Sequence, residues 1–210
     1  MSDFIIPAGA RVLFQGDSIT DCGRYRENPN NLGQGYASMV AGQLSLRHPD
    51  HGITFINRGI SGNRIYDMET RWLKDCIDLA PDFVSILIGI NDTWRFFDSN
   101  TESPIAEFES CYRRLLDALI NEAGARVMIL EPFVLPIPAD RIAWRTDVDA
   151  RIEAVRRVAH DYDTLYVPLD KIFNDMYTTH PRTTWAGDGV HPSPAGHALI
   201  AQEWIGTVNG

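Results

Sequence analysis

Four short stretches of the chain hold side chains that can do chemistry. They are Gly16-Asp17-Ser18-Ile19-Thr20, Asn57-Arg58-Gly59-Ile60-Ser61-Gly62-Asn63, Gly89-Ile90-Asn91-Asp92 and Trp185-Ala186-Gly187-Asp188-Gly189-Val190-His191-Pro192. A serine hydroxyl attacks an ester when an imidazole within hydrogen-bond reach takes its proton and a carboxylate fixes the tautomer of that imidazole and stabilises its cation. Asp188 and His191, three residues apart, can share one turn. Pro192 pushes His191 away from helical backbone angles and Ser193-Pro194 starts a helix, so the imidazole sits on a short, constrained loop. Ser18, His191 and Asp188 are therefore read as nucleophile, base and orienting acid. Attack on a carbonyl also creates an oxyanion that needs donors. The backbone N–H groups of Ser18 and Gly62 and the side-chain amide of Asn91 could supply three, because glycine lets backbone approach a ligand and a neutral amide donates without titrating.

Each piece alone has an ordinary explanation, since serine, glycine, asparagine and aspartate also close turns. What carries weight is their position behind successive strands. The runs 11–15, 53–57, 83–88, 126–131 and 164–169 are apolar, rich in β-branched residues and bounded by turn signals, which predicts five buried strands. Helical patterns lie between them at 36–47, 65–79, 104–123 and 146–160; the third has Pro104 in its first turn and Gly124 just past its end. A last helix follows Pro194, capped by Ser193, with Ala195, Ala198, Leu199, Ala201, Trp204 and Ile205 on a broad apolar face. Alternating β and α elements imply a parallel sheet covered on both faces. In such sheets ligands bind beyond the carboxyl ends of the strands, and three successive strand ends here deliver the serine, the glycine and the asparagine to one rim. The polar, irregular residues 23–35 predict a long surface loop near Ser18.

Composition narrows the function further. The 210 residues, 44% hydrophobic and 22% charged, fit one domain over residues 1–210. No apolar run is long enough for a bilayer, and the N-terminus lacks the basic and apolar regions of a signal peptide, which predicts a soluble cytoplasmic protein. The net charge of -9 with no cluster of Lys and Arg argues against nucleic acid as a partner. Cys22, Cys76 and Cys111 are widely spaced and form no Cys-x-x-Cys pair, so they are read as reduced thiols, with Cys22 a small buried one. His48, His51, His160, His180 and His197 are read as surface histidines, and Asp17, Asp21, Asp188 and His191 as a triad neighbourhood and not a metal cluster. Asp17 is assigned to the tight turn, Asp21 and Arg24 to an ion pair holding the loop, and Asp92 to a brace. No metal or organic cofactor is expected.

The motifs Gly-Asp-Ser, Gly-Ile-Ser-Gly, Gly-Ile-Asn-Asp and Asp-Gly-Val-His-Pro, in this order between residues 16 and 192, resemble those of the SGNH hydrolases, also called the GDSL family. The resemblance implies a flavodoxin-like three-layer α/β/α sandwich on a five-stranded parallel sheet. It implies Ser18, Asp188 and His191 as catalytic residues and Ser18, Gly62 and Asn91 as the oxyanion hole. Gly-Asp-Ser-Ile-Thr-Asp-Cys-Gly-Arg, Ile-Gly-Ile-Asn-Asp-Thr-Trp-Arg and Asp-Gly-Val-His-Pro-Ser-Pro-Ala-Gly-His are similar to the intracellular acetylxylan esterase branch. That likeness implies removal of acetyl groups from short xylo-oligosaccharides, and a homo-oligomer.

Trp94, Arg95 and Trp185 flank the catalytic positions and are read as sugar contacts, with packing beneath the rim as the competing role; Phe96 and Phe97 lean towards packing. Triad chemistry does not choose the acyl group, so a short-chain lipid esterase, thioesterase or lysophospholipase is the nearer alternative. A catalytically silent carbohydrate-binding or scaffold protein is the remoter one, and the lost Ser, His or Asn expected of it is absent.

Overall fold

The computed structural model describes residues 4–181 and 184–209. Five parallel strands, β1 (Arg11–Gly16), β2 (Thr54–Asn57), β3 (Phe83–Leu87), β4 (Arg126–Leu130) and β5 (Leu165–Val167), lie in the order β2-β1-β3-β4-β5. The helices are α1 (Ser18–Asp21), α2 (Tyr36–Arg47), α3 (Ile65–Thr70), α4 (Trp72–Asp75), α5 (Ile90–Ser99), α6 (Ile105–Ala123), α7 (Arg145–Asp161), α8 (Leu169–Thr179) and α9 (Pro194–Asn209). Among the described residues no helix is long and apolar enough to cross a membrane.

Successive strand side chains point to opposite faces, and the two faces build two separate cores. Val12, Phe14, Phe83, Met128 and Leu130 meet α2 and α9 through Tyr36, Val40, Ile200 and Trp204. Leu13, Val84, Ile86, Val127 and Ile129 meet α3, α6 and α7 through Met68, Phe108, Leu116 and Val155. Burial on both faces explains why these strands read as continuous apolar runs. The polar exception on β3, Ser85, is buried but accepts a hydrogen bond from the Trp204 indole N–H at 2.9 Å.

The order β2-β1-β3 puts the switch point between β1 and β3, where Gly16 lies in register with Leu87. The residues that follow these two strands therefore emerge side by side. That neighbourhood brings together segments more than seventy positions apart in the chain.

Two sequence expectations change in detail. The helix expected over 65–79 breaks into α3, α4 and a 3-10 turn at Ile77–Leu79. The break falls at Arg71, whose guanidinium turns inward to donate to Asn63 Oδ1 (2.8 Å), Gln15 Oε1 (2.9 Å) and the Arg58 carbonyl (2.9 Å). Those bonds tie the loops behind β1 and β2 together from below, at the expense of helical continuity. The last strand ends at Val167, not 169, because Pro168 caps α8 and Leu169, Ile172, Phe173 and Met176 repeat with helical spacing.

Candidate active site

The site begins where β1 ends. Gly16 has φ +155°, and a Cβ there would stand 2.3 Å from the Leu87 carbonyl oxygen and 2.5 Å from Thr20 Oγ1, so only glycine fits between β1 and β3. The chain then turns sharply into α1, with Asp17 accepting from the Ile19 N–H at 3.0 Å. Asp17 is fully buried, its Oδ2 has no hydrogen-bond partner among the described residues, and burial pushes its carboxyl up to about 7. Ser18 opens the helix and points its hydroxyl outward.

His191 arrives on the loop before α9, where Ala186 and Pro192 form an antiparallel bridge that closes the turn. Ser18 Oγ lies 2.9 Å from His191 Nε2, and His191 Nδ1 lies 2.7 Å from Asp188 Oδ2. Asp188 Oδ1 also accepts the backbone N–H groups of His191 (2.7 Å) and Val190 (3.0 Å). An ionised carboxylate can only accept, so Nδ1 carries the imidazole proton and Nε2 is free to accept from the Ser18 hydroxyl. Burial pushes the Asp188 carboxyl upward, but the hydrogen bonds from the His191 ring and from the two backbone N–H groups outweigh it and hold the group well below its usual range. Asp188 in turn raises His191 above its ordinary value. The arrangement can remove a proton from Ser18 and hold the resulting imidazolium.

Opposite His191, α5 carries Asn91 in its first turn. The Asn91 Nδ2 donates to the Asn63 carbonyl at 3.1 Å, which leaves a second amide hydrogen for another acceptor. Gly62 adopts φ +84°, a conformation that side chains disfavour, and a Cβ there would stand 3.5 Å from the Arg95 Nη2. Ser18, Ser61, Gly62, Asn91, Trp94, Arg95 and His191 line one cavity of about 310 Å³. The Gly62 loop is fixed from behind. Asp21 accepts from the Ser61 N–H (3.0 Å) and hydroxyl (2.9 Å) and pairs with Arg26, while Arg24 donates to the Gly59 carbonyl at 2.9 Å. The expected Asp21–Arg24 pair is present only at 4.0 Å; Arg26 and Ser61 are the closer partners. Asn57 adds bonds to the Thr20 and Leu32 carbonyls at 2.7 and 2.8 Å, which draws residues 23–35 onto the rim beside Ser18.

Of the three residues read as sugar contacts, Trp94 and Arg95 lie in this cavity and Trp185 does not. Trp94 is half-buried, with its ring 5.7 Å from that of His191 and 5.3 Å from that of Trp144. Trp185 is buried and donates its indole N–H to the Met176 carbonyl at 3.1 Å. It lines a separate cavity of about 500 Å³ between α8 and α9, with Ile172, Ala195 and Leu199, whose described lining holds the carboxylates of Asp175 and Glu203 but no serine, cysteine or histidine. Phe96 and Phe97, expected to pack, are 41% and 39% exposed. Asp92 does brace its surroundings: it accepts from the Ile65 N–H at 3.2 Å and the Ser103 hydroxyl at 2.9 Å. Among the described residues no group of three or more His, Cys, Asp or Glu side chains is placed to hold a metal ion.

Sequence reasoning missed two supports of the site. His197, expected on the surface, is 5% exposed, and burial lowers its imidazole to about 4. Its Nδ1 accepts the Tyr36 N–H at 3.2 Å, so its Nε2–H faces Cys22 Sγ at 3.2 Å and anchors the end of α1. The signal was present: His197, Ile200, Ala201 and Trp204 share one helical face, and all four are buried. The second support is buried Arg151 on α7, which donates to Asp147 Oδ2 (2.8 Å), Thr93 Oγ1 (3.2 Å) and the Ser103 carbonyl (2.8 Å) and so locks α5 in place.

The chain is similar to known proteins over most of its length. Residues 14–199 match the model of the GDSL-like Lipase/Acylhydrolase family. An acetylxylan esterase of Geobacillus stearothermophilus is 36% identical over 207 residues, covering 95% of this chain and 94% of the relative. The crystal structure of an acetylxylan esterase from that organism superposes with a TM-score of 0.89 at 33% identity, covering 100% of this chain and 97% of the other. A putative GDSL-like lipase from Parabacteroides merdae gives a TM-score of 0.93 at 32% identity, covering 98% of each chain. Structures of the Geobacillus esterase include catalytic mutants in which a serine, a histidine and an aspartate are replaced by alanine.

Proposed function

The chain belongs to the GDSL-like lipase/acylhydrolase family and is a serine ester hydrolase of the SGNH fold, and from that premise we propose that it removes acetyl groups from short xylo-oligosaccharides through Ser18, His191 and Asp188. The observation that carries the reading is the unbroken relay from Asp188 through His191 to Ser18, at 2.7 and 2.9 Å, opening into the cavity that Gly62 and Asn91 line.

In this reading His191 Nε2 takes the hydroxyl proton as Ser18 Oγ attacks the acetyl carbonyl. The oxyanion is met by the N–H groups of Ser18 and Gly62 and the free amide hydrogen of Asn91. His191 then hands its proton to the departing sugar oxygen, the acetyl group stays on Ser18, and a water activated by His191 releases acetate. Asp188 keeps Nδ1 protonated and balances the imidazolium in both halves. The short acyl group is supported by the lining, where Trp94 is the one large apolar side chain, so a long acyl chain finds little surface to bury against. Trp94 is the ring offered to the sugar.

Acetate release from acetylated xylo-oligosaccharides, set beside hydrolysis of p-nitrophenyl esters of increasing chain length, tests the proposal. Rates that fall beyond acetate, together with release from the sugar ester, support it. Rates that rise past butyrate, or a sugar ester left intact, assign the enzyme to lipid or thioester substrates instead.

A further inference from the structure

Arg95 is the one permanently charged residue lining the catalytic cavity, and the lining holds no carboxylate to balance it. Three other arginines around the rim are paired, and Arg58 turns its guanidinium back to the Asn57 carbonyl at 3.0 Å. Arg26 pairs with Asp21, and Arg64 faces Asp67 at 3.5 Å and lies over the Tyr66 ring. Arg141 pairs with Asp140 at 3.1 Å and stacks on Trp144 and Trp94, at 3.9 and 5.0 Å from their centroids. Arg95 makes neither an ion pair nor a side-chain hydrogen bond among the described residues, although Asp98 lies one turn further along α5. Its Nη2 stands beside Gly62, on the wall where the acetyl carbonyl is to sit in the proposed reaction.

Resting on that proposed reaction, we infer that Arg95 receives a carboxylate of the substrate, so that the preferred esters are acetylated oligosaccharides bearing a uronic acid near the acetyl group. A guanidinium presents parallel N–H donors that match a carboxylate with two bonds, whereas a neutral hydroxyl engages it singly and leaves its charge unbalanced. The acids around Ser18 offer no competition. Asp188 is turned onto His191, Asp21 is bound by Ser61 and Arg26, and Asp17 is buried behind Ser18. The chain as a whole carries -9 and repels anions at long range, so recognition of an acidic sugar depends on this local cation.

The test compares kcat/KM for acetate release from two acetylated xylo-oligosaccharides of equal length, one carrying a glucuronic acid branch and one without it. The wild type favours the acidic substrate by roughly five- to tenfold at low ionic strength, the strength of a partly solvated charge-assisted pair, and salt reduces that ratio. Arg95→Gln brings the ratio close to one, and Arg95→Lys keeps part of it. Equal rates on the two substrates in the wild type, or a ratio that survives Arg95→Gln, overturn the inference while leaving the esterase reading intact. Release from neither substrate by the wild type removes the sugar esterase reading and this inference with it.

Discussion

Replacing Asp188 by asparagine perturbs the site at one atom while keeping its shape. Oδ1 accepts two backbone N–H groups, and an amide oxygen can go on doing so. Oδ2, however, faces His191 Nδ1 at 2.7 Å, and an amide nitrogen placed there is a donor. His191 must then carry its proton on Nε2, which directs a donor at Ser18 Oγ and leaves no base. In a comparable serine triad the same change lowers kcat about ten-thousandfold, which corresponds to about 5.5 kcal/mol of transition-state stabilisation. The charge is lost as well. His191 titrates above its ordinary 6.5 because Asp188 supports its cation, and catalysis needs the neutral ring, so the acidic limb of the wild-type kcat/KM profile lies above 6.5. In Asp188→Asn the imidazole titrates lower. Hydrolysis of p-nitrophenyl acetate and NMR titration of the His191 ring read the two effects separately. Activity within tenfold of wild type, or an imidazole that titrates no lower than before, refutes the relay.

Asn91→Ala removes a side-chain donor to the oxyanion and is expected to lower kcat roughly a hundred- to a thousandfold with a much smaller change in KM; a change confined to KM contradicts that role. Gly16→Ala forces a Cβ to within 2.3 Å of the Leu87 carbonyl at φ +155°, so the melting temperature is expected to fall by roughly 6–12 °C, and an unchanged one contradicts the packing. His197 is neutral in the folded protein down to about 4, so the stability it contributes is full above pH 6.5 and drains away as the pH falls from there towards 4. Urea unfolding across that window is expected to show about 2–3 kcal/mol of this dependence disappearing in His197→Asn. Asp17, raised by burial to about 7, acts with the opposite sign and is present in both proteins, so the comparison isolates His197.

The fold was legible because each strand carries apolar residues on both faces, and the candidate catalytic side chains because they sit in short motifs directly behind those strands. Ser18, Asn91 and the Asp188–His191 pair are each ordinary turn residues when taken singly, and it is their joint occurrence behind successive strands that restricts the chemistry. The helix carrying Asn91 was hidden for a local reason. Gly89-Ile90-Asn91-Asp92 has the composition of a turn, and α5 is held by partners from afar, Asp92 receiving the Ile65 N–H and Arg151 reaching Thr93 from α7. Arg71 was invisible in the same way, as it breaks a well-patterned helix to satisfy carbonyl and amide groups on loops distant in sequence. Trp185 shows the converse. Three residues before Asp188 in the chain, it nonetheless packs on the far side of its loop against α8. Closeness along the chain is a poor guide to which side of a loop a side chain faces.

Inactivating the enzyme with a serine-directed organophosphorus reagent and locating the added mass by peptide mass spectrometry tests whether Ser18 is the nucleophile. One adduct on Ser18, rising in step with the loss of esterase activity and absent from His191→Ala, is the predicted result. Stoichiometric modification of another residue, or full activity in protein whose Ser18 is modified, contradicts it.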